Sequence, residues 1–80
     1  MLTADQCRAG RALVSATQER LAEVAGVNKR TIMDFEVGKR NPNPATLKAI
    51  AQGLQSLGVE VIEENGGGVG VRLAKRGANE

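Results

Sequence analysis

Apolar residues fall at helical spacing in four successive stretches, each opened by a capping residue, and then switch to strict alternation with polar ones. The first stretch begins at Thr3-Ala4-Asp5-Gln6, a capping box with Thr3 as N-cap and Gln6 reaching back. Leu2 and Cys7 occupy the two positions of a hydrophobic staple, and the helix is predicted to run to Val14 or Ser15. Thr17 caps the second helix and is followed by Gln18 and by Glu19, whose charge suits the positive end of a helix dipole. Leu21, Ala22, Val24 and Ala25 give this helix a buried face, and Gly26 stops it by taking the left-handed conformation. One residue later Asn28 caps a third helix, with Val27 and Ile32 as a second staple pair. Ile32 and Phe35 point inward, Lys29, Arg30, Met33, Asp34 and Val37 fall elsewhere around the helix, and Gly38 ends it.

Lys39-Arg40-Asn41-Pro42-Asn43-Pro44 reads as a basic, stiffened loop. Asn43 caps a fourth helix with Pro44 at its first position, where a missing N–H costs nothing. Leu47, Ile50, Ala51, Leu54 and Leu57 carry that helix to Gly58. Gly53 inside it costs roughly 1 kcal/mol relative to alanine, and the sequence offers no reason for it. Beyond Gly58 the period shortens to two. Val59, Val61 and Ile62, then Val69, Val71 and Leu73, flank the loop sequence Glu63-Glu64-Asn65-Gly66-Gly67-Gly68, which predicts a β-hairpin. A lone hairpin is marginal in water, so it must pack on the helices or pair with another chain. Arg76 to Glu80 read as a frayed tail.

Composition narrows the means of stabilisation. Eighty residues make one domain with a modest core, 41% apolar, with 10 glycines and one aromatic residue, Phe35. With a single cysteine, Cys7, and no histidine, an intramolecular disulfide is impossible and a zinc site lacks ligands, which leaves oligomerisation. The same shortage removes the usual acid–base and nucleophile sets, so an enzyme is not expected, nor a metal or cofactor. No apolar run approaches the ~20 residues of a membrane span, and there is no long apolar segment of the secretory-signal type. A lone thiol fits a reducing compartment, so the expected location is the cytoplasm.

The net charge of +2 says less than its distribution. Residues 29–48 hold five cations (Lys29, Arg30, Lys39, Arg40, Lys48) against Asp34 and Glu36, leaving +3 there, while six cations and seven acids leave −1 elsewhere. A basic middle third suits a polyanion, although a merely solvated surface would carry the same charges.

Two short helices joined by Ala25-Gly26-Val27, the second opening in polar and basic residues, form a helix-turn-helix arrangement. In it the first helix braces on the DNA backbone and the second enters the major groove. The stretch Gln18-Glu19-Arg20-Leu21-Ala22, Ala25-Gly26-Val27-Asn28, Thr31-Ile32 and Phe35-Glu36-Val37-Gly38-Lys39-Arg40-Asn41-Pro42 resembles the phage repressor/Cro-like (XRE-type) helix-turn-helix family over roughly residues 3–57. That resemblance implies a mainly α, lambda-repressor-like bundle of four to five helices, here followed by a C-terminal β-hairpin, binding double-stranded operator DNA as a dimer. It implies that Thr17 and Gln18 meet phosphate at the start of the bracing helix, and that Asn28, Lys29 and Arg30 lead the recognition helix. Thr31 would reach a phosphate or a thymine methyl, Met33 and Asp34 would follow as outward positions, and Lys39, Arg40 and Asn43 would grip phosphates. Asp34 would either accept from cytosine N4 or orient Arg30. Arg11 and Glu36 correspond to a partly buried ion pair.

The expected organisation is a DNA-binding domain over residues 1–58, a hairpin over 59–74 and a flexible tail over 75–80. Val59, Val61, Ile62, Val69, Val71 and Leu73 are expected to build a two-fold dimer interface, the alternative being a hairpin folded back over the fourth helix. The expected function is a dimeric, autoregulating repressor of a phage or mobile element on a near-palindromic operator. Activation through Glu19 or Glu23 touching RNA polymerase stays open. The alternatives are an antitoxin or a restriction–modification controller acting with a protein partner.

Overall fold

Each of the four caps read from the sequence opens a helix. A computed structural model describes residues 1–74. In it α1 (Ala4–Val14), α2 (Gln18–Ala25), α3 (Lys29–Glu36) and α4 (Pro44–Ser56) precede β1 (Val59–Ile62) and β2 (Gly70–Leu73). The expected tail at 75–80 lies outside the described residues. Thr3 and Gln6 exchange the two bonds of the capping box at 3.1 and 2.8 Å. The side chains of Thr17, Asn28 and Asn43 accept from the main chain of Arg20, Arg30 and Thr46 at 2.9, 2.8 and 2.8 Å. Gly26 ends α2 at φ +71°, a conformation any Cβ would strain.

The core sits where α1 and α2 pack on α4, with α3 laid against α1 and α2 and β1 against α1 and α4. Cys7, Leu21, Ile32, Ile50, Leu54 and Val59 are fully buried there, with Phe35 beside them. Gly53 now has its reason. A Cβ built on it would lie 2.8 Å from the Ala25 Cβ and 3.1 Å from the Ala25 Cα, so glycine lets α4 cross the end of α2 backbone to backbone. Gly10 plays a milder version of the same part, its missing Cβ falling 3.1 Å from Leu54 Cδ2 and 3.2 Å from Val59 Cγ1.

β1 and β2 pair antiparallel, with Val59 opposite Leu73 and Val61 opposite Val71. The hairpin packs on α1 and α4 of its own chain. Gln6, itself buried, fastens it there by donating through Nε2 to the Ile62 and Gly70 carbonyls at 2.9 and 3.0 Å. Two sequence expectations change as a result. Val59, expected between copies, is part of the monomer core with 0% exposure, because the turn at Gly58 delivers it directly onto α1 and α4. Val69 lies outside the strand, because the loop turns through Gly66 and Gly68, whose N–H groups donate to the Glu64 carboxylate. Val61 and Val71 are half-buried against the core, whereas Val69 and Leu73 remain exposed. No helix among the described residues is long and apolar enough to cross a membrane.

Candidate nucleic-acid interface

The N-terminal end of α3 adjoins that of α2 and that of α4. The Lys29 ammonium at the head of α3 lies 3.8 Å from the Glu19 carboxylate in the first turn of α2. On its other side, Thr31 shares a shallow cleft with Arg40, Asn43 and Thr46 at the start of α4. The pieces that sequence placed on DNA are therefore neighbours in space.

Their side chains are not equally available. Lys29, Arg30, Lys39 and Arg40 are exposed, Thr31 and Met33 are half-buried, and Gln18 is half-buried. Thr17, Asn28 and Asn43 each commit the side-chain oxygen to a helix cap, which fixes their position and leaves the two asparagine amide groups as donors. Asp34 departs from the outward position expected of it. It is buried, because the chain folds back after Gly38 so that the Lys39 and Arg40 N–H groups donate to the Asp34 carbonyl at 2.8 and 3.1 Å. Its carboxylate lies 4.0 Å from the Arg30 guanidinium one turn earlier. Asp34 thus anchors the basic loop through its main chain and faces Arg30 through its side chain.

Behind this surface lies a buried polar centre that holds three helices in register. Glu36, with 2% exposure, receives Arg11 Nε and Nη2 at 2.7 and 2.6 Å, Gln18 Nε2 at 2.9 Å and the Cys7 thiol at 3.1 Å. Arg11 also donates to the Ala16 carbonyl at 3.0 Å, and Arg8 donates to the Glu36 carbonyl. Burial alone would raise the Glu36 carboxyl, but the hydrogen bonds from Arg11, Gln18 and Cys7 outweigh it and hold the group below the ordinary carboxylate range. Burial, with the neighbouring carboxylate, pushes the Cys7 thiol far up, so it stays a neutral donor. No buried side-chain nitrogen or oxygen among the described residues lacks a partner. Gln18 joins the two layers: its amide is fixed from behind by Glu36 at the point where α2 reaches the surface.

Sequence reasoning missed three participants here. The Cys7 bond to Glu36 carries no pattern beyond a small apolar position. The Gln6 clamp on the hairpin hid behind its capping role. The Glu19–Lys29 pair spans two helices, so only the turn geometry brings it together.

A family model described as helix-turn-helix matches residues 9–61, more than half of the chain, and so takes in most of α1, all of α2, α3 and α4, and the start of the hairpin. None of the curated proteins matches the sequence significantly. With the bracing helix, the Gly26 turn, the cationic head of α3 and the basic loop all inside the matched span, this chain belongs to the XRE-type helix-turn-helix family of DNA-binding transcription regulators.

Proposed function

We propose that the protein is a dimeric repressor that reads a near-palindromic operator with the leading edge of α3 and represses its own transcription. The carrying observation is that the N-termini of α2, α3 and α4 adjoin one another, with Lys29 and Arg40 at the two junctions and Arg30 and Lys39 exposed next to them in the chain. Helix N-termini and flexible cations suit phosphates, and Lys29 or Arg30 can donate to guanine O6 and N7. Lys39, Arg40 and Asn43 then set the register on the backbone. Two copies with recognition helices about 34 Å apart would read half-sites one DNA turn apart. The exposed apolar remainder of the hairpin, Leu73 and Val69, supports a second copy docking there.

Titration against a duplex from the gene's own upstream region, beside a scrambled duplex, tests the reading. Specific complexes exceed non-specific ones by roughly 10³–10⁷-fold, so autoregulation predicts a large contrast that weakens with salt. Equal weak binding to both would remove autoregulation, and binding only with a second protein present would replace it by a partner-dependent role. The dimer is tested separately by sedimentation of Leu73→Asp, which is expected to be monomeric and folded. A dimer unaffected by that change would place the interface elsewhere.

A further inference from the structure

We propose that Glu19 limits the protein's affinity for DNA: it pairs with Lys29 at the head of α3, so DNA recruits that cation only by loosening the pair. This rests on α3 being the base-facing helix. Acid in a first turn is stabilised by the positive end of the helix dipole; α1 has Asp5 and α2 has Glu19 there, whereas α3 and α4 have none. The first turn of α3 has no acid and instead carries Lys29 and Arg30. Of the five cations in residues 29–48, the two at the head of α3 are the ones with carboxylates opposite them among the described residues, Glu19 at 3.8 Å and Asp34 at 4.0 Å. Lys39, Arg40 and Lys48 have no carboxylate within 4.0 Å among the described residues. Within residues 29–48 the charge is thus sorted among the described residues: unpaired cations on the loop and α4, paired cations at the head of α3.

The sorting has a thermodynamic consequence. Non-cognate DNA offers only phosphates, and to recruit Lys29 a phosphate must displace Glu19 and leave that carboxylate facing a polyanion. A cognate site meets the same displacement cost and offsets it with base-edge hydrogen bonds. The pair therefore weakens cognate and random complexes alike, which lowers overall affinity and leaves their ratio unchanged. Because both partners are well exposed, the pair is weak, and its effect on affinity is about two- to fivefold.

The test is binding of Glu19→Gln to a random-sequence duplex between about 50 and 200 mM salt, with Glu23→Gln as control. Glu23 lies one turn further along α2, is exposed, and pairs with Arg20, so its change alters net charge equally without freeing Lys29. Glu19→Gln is expected to bind about two- to fivefold tighter, with the salt slope steeper by about 0.9, the increment for one added phosphate contact. In a Lys29→Gln background the same change is expected to do nothing, which isolates the pair. An equal rise in Glu23→Gln, a rise that persists without Lys29, or no rise at all would overturn the proposal. Failure of the unaltered protein to bind any duplex at low salt would overturn the DNA-facing reading of α3 beneath it.

Discussion

At the scale of single residues, Glu36 organises the most. It gathers donors from α1 and α2 and holds them to the end of α3, so its charge is a structural element of the fold. Its carboxyl is held below the ordinary range, so the stability it contributes is complete above the unfolded carboxyl value of about 4.3 and is lost as pH falls through the lower folded value. The melting temperature is therefore expected to hold from neutral to about pH 5 and to fall steeply below about pH 4. Thermal melts of Glu36→Gln are expected to start lower and to lose part of that acid dependence. Arg11 keeps 21% exposure and can rehydrate, so the neutral-pH loss falls below the buried-pair range, at about 2–3 kcal/mol. An acid profile unchanged by Glu36→Gln would mean other carboxylates govern it. The Arg11–Glu36 pair came to notice only through family resemblance, since a separation of 25 residues has no pattern of its own. The thiol that completes the site had no signal at all.

At the scale of elements, the helices were legible because their ends are chemical. Thr3, Thr17, Asn28 and Asn43 are caps whose bonds are local, so sequence neighbours determine them. What sequence could not convey are crossings. Gly53 reads as a defect in α4 until Ala25 is set against it. Helix propensity alone predicts that Gly53→Ala stabilises by about 1 kcal/mol. The crossing predicts the reverse, a loss of about 1–3 kcal/mol, because backbone atoms of α2 cannot yield as a side chain can. A melt distinguishes them by sign, at about 4–8 °C per kcal/mol for a domain of this size. The head of α3 offers a matching case where function opposes stability. Lys29→Glu places acid at the first turn and is expected to stabilise by about 0.3–1 kcal/mol in calorimetry, less any repulsion from Glu19. DNA binding is expected to fall by tenfold or more, about 1.4 kcal/mol, as a cation becomes an anion beside phosphate. Strong binding by Lys29→Glu would remove α3 from the DNA surface. The hairpin was legible as a hairpin, but its docking was not. Alternation cannot tell a face turned to α1 from one turned to another copy, and Val59 belongs to the first.

At the scale of the whole molecule, the head of α3 and the basic loop meet at the helix N-termini, and Lys48 lies apart beside the hairpin. The buried Glu36 centre ties α1 and α2 to the end of α3. The sequence held the charges, and the turn at Gly26 and the fold-back at Gly38 bring those of α3 and the loop together. The division of labour between them is the central claim: the head of α3 reads bases, and the loop after it grips phosphate. Two variants separate these roles when each is titrated against an upstream operator duplex and its scrambled counterpart. Arg30→Ala is expected to lose about 1–3 kcal/mol on the operator and far less on the scrambled duplex, so that the ratio collapses. Lys39→Ala is expected to weaken both alike and to reduce the salt slope by about 1. Equal losses on the two duplexes for Arg30→Ala, with the ratio intact, would contradict the assignment of base reading to α3.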